Sequence, residues 1–328
     1  MVANKISLLA TCLAFFVIVL GAYTRLTDAG LGCPDWPGCY GHWIVPNASD
    51  NPSQVIDSAK AWTEMLHRYF AGLLGLLIFA LSFLALKNRR LPKQPLVLPL
   101  ILSGLVIFQG LLGMWTVTLK LLPIVVIAHL VGGMTTLALL CWLTLQYKPV
   151  KITFKSQKLS NLRTWAILGL FFLSIQIILG GWTSANYAAL ACTDFPFCQT
   201  HLKFPFDLSN AFRIKSGVAG SIGAPLDSIT LMSIHMLHRI GALVTTLIIG
   251  WLIFLVFFKT KNSFLRGLSI IIAGLLITQV LLGITNIVAL LPLPIAVAHN
   301  AVAALLLLSL VTLNFYLYTN RQTQKHHE

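Results

Sequence analysis

Glu64-Met65-Leu66-His67-Arg68 occurs twice in the chain, recurring as His235-Met236-Leu237-His238-Arg239. Each copy opens a long apolar stretch, so each sets a His-Arg pair just inside an expected membrane helix. Histidine and arginine are costly in lipid, and their presence there marks function by default. The copies differ three residues before the histidine, where Glu64 faces His235.

The surrounding sequence reads as an integral membrane protein. The 328 residues are 57% hydrophobic and 10% charged, against about 25% charged in a soluble domain. Mean hydropathy is +0.84. The net charge of +14 does not point to nucleic acid, because the basic residues fall in short loops between apolar runs. Eight stretches reach the roughly 20 apolar residues that cross a bilayer: 6–24, 64–86, 96–118, 123–147, 162–184, 232–258, 265–288 and 292–317. The first is too long for a signal-peptide core and lacks a clean small-residue cleavage site, so it is expected to be a helix. No Arg- and Ser-rich transit peptide is evident, which favours a bacterial inner membrane.

Orientation follows from the basic residues. Lys87, Arg89, Arg90 and Lys93 lie after the second span, and Lys148, Lys151, Lys155, Lys158 and Arg163 after the fourth. Lys259, Lys261 and Arg266 follow the sixth, and Arg321 and Lys325 the last. Eight spans with both termini cytoplasmic put all of these on one side. Every acidic residue except Glu328 falls on the other side or at its edge.

The halves align. At a shift of 159, Leu20-Gly21 faces Leu179-Gly180, and the loop from Cys33 to Cys39 faces that from Cys192 to Cys198. At 171, His67-Arg68 faces His238-Arg239; at 170, Gln109 faces Gln279, Gly113 faces Gly283 and His129 faces His299. The expected fold is therefore all-α: eight transmembrane helices in two tandem four-helix bundles, related by a pseudo-twofold axis along the membrane normal. The halves are 1–158 and 159–328, joined by a basic linker at 148–161. The loop 199–231, with Gly217, Gly220, Gly223 and Pro225, is expected to be partly irregular.

Each half offers two intramembrane histidines, His67 with His129 and His238 with His299. Alone, a histidine on an apolar helix is more often a hydrogen-bonded core residue. Two matched pairs point instead to axial ligation of haem iron inside a helix bundle. The histidines lie three to six residues inside the apolar stretches, roughly 5–9 Å deep at 1.5 Å per residue, toward the extracytoplasmic side. Arg68 and Arg239 suit haem propionates, or snorkel to the outer headgroups. Glu64 is one turn from His67 on the same helix face and is expected to point at whatever His67 holds. As a helix-start residue it would merely complement the dipole; the exchange for His235 marks it instead as belonging to a reactive half. His235 would then contact a haem edge or propionate.

Cys33 with Cys39, and Cys192 with Cys198, fall in extracytoplasmic loops where disulfides persist. Structural disulfides are one reading, and thiol redox chemistry by the first pair is another. Cys39 with His42, and Cys198 with His201, also give Cys-x5-Cys-x2-His twice, a partial copper or zinc ligand set. Cys12 and Cys141 read as buried apolar residues.

Gly21-Ala22-Tyr23-Thr24-Arg25-Leu26-Thr27, then Gly30-Leu31-Gly32-Cys33-Pro34-Asp35-Trp36-Pro37, then Glu64-x-x-His67-Arg68, resemble the haem A synthase family over nearly the whole chain. The resemblance implies oxidation of the C8 methyl of haem O to a formyl group, with oxygen from water, giving haem A for cytochrome oxidase. It implies a haem b cofactor between His238 and His299, substrate haem between His67 and His129, Glu64 as the functional glutamate, and Cys33 and Cys39 as the functional loop pair. Its implied partners are haem O, haem O synthase, cytochrome oxidase assembly factors, an electron acceptor, the lipid bilayer and a second copy of the chain. The principal rival is a di-haem b-type membrane cytochrome exchanging electrons with quinone, which gives no reason for Glu64 to differ from His235. A thiol oxidoreductase leaves the histidines unexplained, and a transporter would want a charged cluster at the midplane.

Overall fold

A computed structural model describes residues 2–46, 56–92, 94–147, 159–198, 208–212 and 226–325. The elements run α1 (Val2–Leu26), α2 (Ser58–Lys87), α3 (Val97–Thr118), α4 (Pro123–Tyr147), α5 (Leu159–Ala185), a 3-10 turn (Ala188–Leu190), the short α6 (Leu208–Ala211), α7 (Ser228–Lys259), α8 (Ser263–Val288) and α9 (Leu293–Lys325). Eight of these helices are long and apolar enough to cross a membrane, and they coincide with the eight expected spans. The chain is an all-helical, multi-pass membrane protein. Most of the expected linker and of the loop 199–231, including His201, lies outside the described residues.

Two helices start earlier than their apolar runs. The Asp57 side chain caps α2 by accepting from Lys60 N–H at 3.2 Å, and the helix begins at Ser58 rather than 64. Asp227 precedes α7 and accepts from the Thr230 hydroxyl. An N-cap carries a helix outward past the point where its side chains become apolar. His67 and His238 therefore lie nine and ten residues into their helices, not one turn. His129 and His299 each lie six residues in, as expected.

Helices α1 to α4 pack as a ring, α1 on α2, α2 on α3, α3 on α4 and α4 on α1. The later helices repeat the pattern, with α5 on α7, α7 on α8, α8 on α9 and α9 on α5. The rings meet through α1 on α9, α4 on α5 and α4 on α9. Unusual backbone conformations recur at the same spacings. Asp28 and Tyr187 both have left-handed φ, and so do Lys120-Leu121 and Leu290-Leu291. The last two pairs end α3 and α8, where Leu121 N–H reaches back to Thr116 O and Leu291 N–H to Asn286 O, both at 2.7 Å. Such left-handed residues satisfy carbonyls that a helix end leaves open.

The dry core fills the end of the bundle away from the histidines. Leu81, Leu140, Leu252 and Leu310 are fully buried there, one from each of α2, α4, α7 and α9. Short polar contacts tie the helices, as membrane packing favours: Ser82 Oγ donates to Pro99 O at 2.7 Å, and Asn314 Nδ2 to Ala166 O at 3.0 Å. The histidine end is hollow instead.

Candidate functional site

A cavity of about 1670 Å³ occupies that end, lined by all four intramembrane histidines together with Glu64, Arg68 and Arg239. Pockets for one small ligand run to roughly 300–1000 Å³, so this one has room for more than one.

Each histidine sits against a glycine of another helix in its own ring. A Cβ placed on Gly21 of α1 would lie 2.9 Å from Cε1 of His67, and one on Gly180 of α5 would lie 3.0 Å from Cε1 of His238. On Gly283 of α8 the distance to Cε1 of His299 would be 3.2 Å, and on Gly113 of α3 that to Cε1 of His129 would be 3.6 Å. Absence of a side chain at these positions lets the imidazoles lie along the neighbouring backbone.

The rings of His67 and His129 are 6.5 Å apart, centre to centre, at an interplanar angle of 77°. A metal held between two imidazoles at about 2.0–2.1 Å from each nitrogen, with about 1.1 Å from nitrogen to ring centre, separates the rings by about 6.3 Å. The pair thus fits an axial-ligand set. Nδ1 of His67, His129 and His299 is buried without a hydrogen-bond partner. His238 differs: Gln176 Nε2 lies 3.0 Å from its Nδ1 and donates to its carbonyl at 3.0 Å. Gln279 Nε2 lies 3.2 Å from His299 Nε2. Gln176 takes the place of Val17 in the first half, a difference that the sequence shows at the 159-residue shift but gives no reason to single out.

Glu64 is 4% exposed. Its Oε1 pairs with Arg68 Nη2 at 2.5 Å, and its Oε2 accepts from Cys33 N–H at 2.9 Å. Neither oxygen is free to point only at the ligand of His67; both are fixed by neighbours. Arg68 Nη1 also donates to Asp35 O at 2.9 Å, Pro37 O at 3.2 Å and Gly38 O at 2.5 Å. Arg239 does the same for the second loop, with Nη1 donating to Asp194 O at 2.7 Å and Pro196 O at 3.2 Å. Its Nη2 donates to Cys192 O at 2.6 Å, because His235 offers no carboxylate. The arginines therefore clamp the loops before they contact anything in the cavity. His235 is 4% exposed, with a buried Nδ1 that has no partner.

Cys33 and Cys39 form a disulfide, as do Cys192 and Cys198. All four cysteines are buried. This overturns the partial metal set at Cys39 and His42, because the sulfurs are bonded to each other; the His201 copy lies outside the described residues. No group of three or more His, Cys, Asp or Glu side chains arranged to hold a metal ion occurs among the described residues. Asp35 braces the first loop by accepting from Tyr40 N–H at 2.6 Å and Gly41 N–H at 2.7 Å. Cys12 is exposed on the outer surface of α1 and not buried as expected, and Cys141 is partly buried.

One junction was not anticipated from the sequence. Arg25, at the end of α1, donates through Nη2 to Ser184 O at 2.7 Å and through Nη1 to the Tyr187 hydroxyl at 3.0 Å. Its guanidinium lies 4.3 Å from the centre of the Tyr187 ring. The Tyr187 hydroxyl donates to Asp28 Oδ1 at 3.0 Å.

A profile of the COX15-CtaA family, described as cytochrome oxidase assembly protein, matches residues 4–311. The chain is 48% identical over 323 residues to Heme A synthase of Shewanella oneidensis, covering 96% of this chain and 95% of that protein. It is 25% identical to Heme A synthase of Caulobacter vibrioides, with 91% of each chain covered. A third relative, Heme A synthase of Alkalihalophilus pseudofirmus, is 25% identical over 81% of this chain and 86% of its own. With a glycine-backed histidine pair in each ring, a buried glutamate beside one of them and a family match along nearly its full length, the chain belongs to the COX15-CtaA family of cytochrome oxidase assembly proteins.

Proposed function

We propose that this chain is a haem A synthase that oxidises the C8 methyl of haem O to a formyl group. The observation that carries the proposal is the pair His67 and His129, 6.5 Å apart, with buried Glu64 one turn from His67 on the same cavity wall.

The two rings form halves, 1–158 and 159–328, related by a pseudo-twofold axis along the membrane normal. Two contacts support this. Arg25 touches Ser184, its own counterpart at the 159 shift, near the histidine end. Cys141 Sγ lies 3.8 Å from the hydroxyl of Thr312, which adjoins its counterpart Val311 at the 170 shift, near the other end. Residues equivalent in a twofold repeat meet only near the axis. With the basic loops inside, both termini are cytoplasmic and the cavity faces the extracytoplasmic side of a bacterial inner membrane.

Haem O binds between His67 and His129, and haem b is the resident cofactor between His238 and His299. When bound, haem b supplies one-electron acceptance. Balanced, the substrate reaction takes one methyl group and one water to one formyl group, four protons and four electrons, which leave for an acceptor. Glu64 pairs with Arg68 on the cavity wall and is placed to receive a proton from water or to offset positive charge on the reacting carbon. Arg68 and Arg239 hold the disulfide loops over the cavity and line it, where guanidinium groups suit haem propionates. The disulfides are structural: buried sulfurs give a partner thiol no line of attack. Haem O synthase stands upstream, and cytochrome oxidase assembly downstream.

Pigment extraction from the purified chain tests this. Haem b with haem O or haem A supports the synthase. Two haems b per chain, unchanged when haem O is supplied, would establish a di-haem cytochrome instead.

A further inference from the structure

The halves differ in one respect that their shared ligand pattern hides. One helical turn beyond the histidines, toward the dry core, the first half lines the cavity with Gly72 of α2, Gly110 of α3 and Gly133 of α4. The matching positions of the second half carry Leu243, Val280 and Ala303, which also line the cavity. Gly72 lies five residues beyond His67, Gly133 four beyond His129, and Gly110 three below Gly113. At 1.5 Å per residue, all three sit roughly 4–8 Å deeper than the histidine pair.

Glycines in membrane helices usually let helices approach closely. Gly72 and Gly110 do not serve that end, because a Cβ on either would meet nothing within 4 Å. At Gly133 the nearest atom would be Gln109 Oε1, at 4.0 Å. Gly104, Gly250, Gly267 and Gly274 also face open space, but they do not line the cavity. The neighbouring amide widens the contrast. Gln109 folds over Gly132, with Nε2 buried and unpartnered, whereas Val302 stands at the matching position and Gln279 reaches His299. Three missing side chains from three helices, at one level and continuous with the His67–His129 site, leave apolar space where the second half carries Leu243, 61% exposed, and the half-buried Val280 and Ala303.

We propose that this groove takes the isoprenoid tail of the substrate haem, and that Leu243 and Val280 deny a tail to the second site. Haem O and haem b share the iron, the propionates and the C8 methyl; the hydroxyethylfarnesyl chain is the difference that two otherwise matched sites must sense. The proposal rests on haem O binding in the first half. The glycines select the tailed macrocycle there, and the filled positions keep the cofactor site for haem b.

The test uses the full-length chain in detergent, retaining its endogenous haem, titrated separately with haem O and with haem b. First-site binding is the absorbance change that H67A abolishes. In G72L/G110V, affinity for haem O should fall by roughly tenfold or more, as overpacking removes room for several methylenes, while haem b affinity at that site changes little. Retained endogenous haem reports that the variant is folded. The reciprocal L243G/V280G should admit haem O to the second site. Haem O binding in G72L/G110V equal to wild type would overturn the proposal, and so would equal loss of both haems with the second site intact. Should H67A leave haem O binding unchanged in the wild-type background, the substrate assignment itself fails, independently of the groove.

Discussion

Glu64 accepts a hydrogen bond from the backbone N–H of Cys33 at 2.9 Å, across 31 residues of sequence. The contact joins the one residue that differs between the two copies of the 64–68 motif to the disulfide loop above it. Arg68 closes the arrangement by binding the other Glu64 oxygen and three carbonyls of the same loop. The loop, the clamp and the carboxylate are one mechanical unit.

Glu64→Gln should fold and keep haem b but make no haem A. The amide retains an oxygen for Cys33 N–H and loses the charge that the chemistry needs. Glu64→Ala should do worse, leaving the half-buried Arg68 guanidinium with the loop carbonyls alone and costing a charge-assisted hydrogen bond, about 1.5–3 kcal/mol. Extracted haems resolved by chromatography check the first claim, and thermal unfolding the second. Haem A from E64Q at wild-type level would remove Glu64 from the reaction.

The disulfides should contribute stability alike and activity unequally. Each closes a loop with a sequence separation of six, for which chain entropy gives about 2 kcal/mol. C33A/C39A should also stop haem A production, because Cys33 N–H positions Glu64. C192A/C198A should lower the melting temperature by a similar amount yet leave turnover measurable, since His235 makes no such bond. Equal loss of turnover in both variants would contradict this division.

Much of this was legible because the sequence repeats. A single histidine in an apolar run says little; His67, His129, His238 and His299 at matched shifts show which helices belong to one ring and which histidines pair. Hydropathy alone places these helix starts late, because Asp57 caps α2 and Asp227 holds the Thr230 hydroxyl at the start of α7, both outside the apolar runs it detects. The loop clamp was hidden for another reason. Arg68 and Arg239 bind carbonyls, and backbone acceptors have no residue-type signature. Gln176 was invisible because a lone amide on an apolar helix has no period, and its contact with His238 depends on how α5 packs on α7.

The Arg25–Tyr187 junction should hold the halves together without touching either histidine pair. Tyr187→Phe removes the hydroxyl bonds to Arg25 and Asp28, both 3.0 Å, from a half-exposed ring, which costs about 0.5–1 kcal/mol. Arg25→Ala also removes the 2.7 Å bond to Ser184 O and the ring contact, so its loss should exceed that of Y187F. Thermal unfolding of both single variants and of the double should show the two losses overlapping rather than adding, as residues in contact do. Strict additivity would mean that the junction is not a unit.

The glycines behind the histidines offer a graded test. Alanine adds one methyl group, and its closest approach to the imidazole would be 2.9 Å at Gly21, 3.0 Å at Gly180, 3.2 Å at Gly283 and 3.6 Å at Gly113. At 2.9 Å the ring must shift from its line toward the partner histidine, and at 3.0 and 3.2 Å it must give by a few tenths of an ångström. At 3.6 Å contact is ordinary and the ring stays. G21A should therefore lose haem A production while keeping haem b, and G180A should bind haem b more weakly. G283A should weaken haem b binding less than G180A, and G113A should behave as wild type. Second-shell changes at metal-ligating histidines typically cost roughly 10–100-fold in affinity, which sets the scale for G180A. Haem content per chain and haem A yield, measured on all four variants, give the order directly. An order that ignores these distances, with G113A as harmful as G21A, would show that the glycines serve helix packing and not the placement of the histidines.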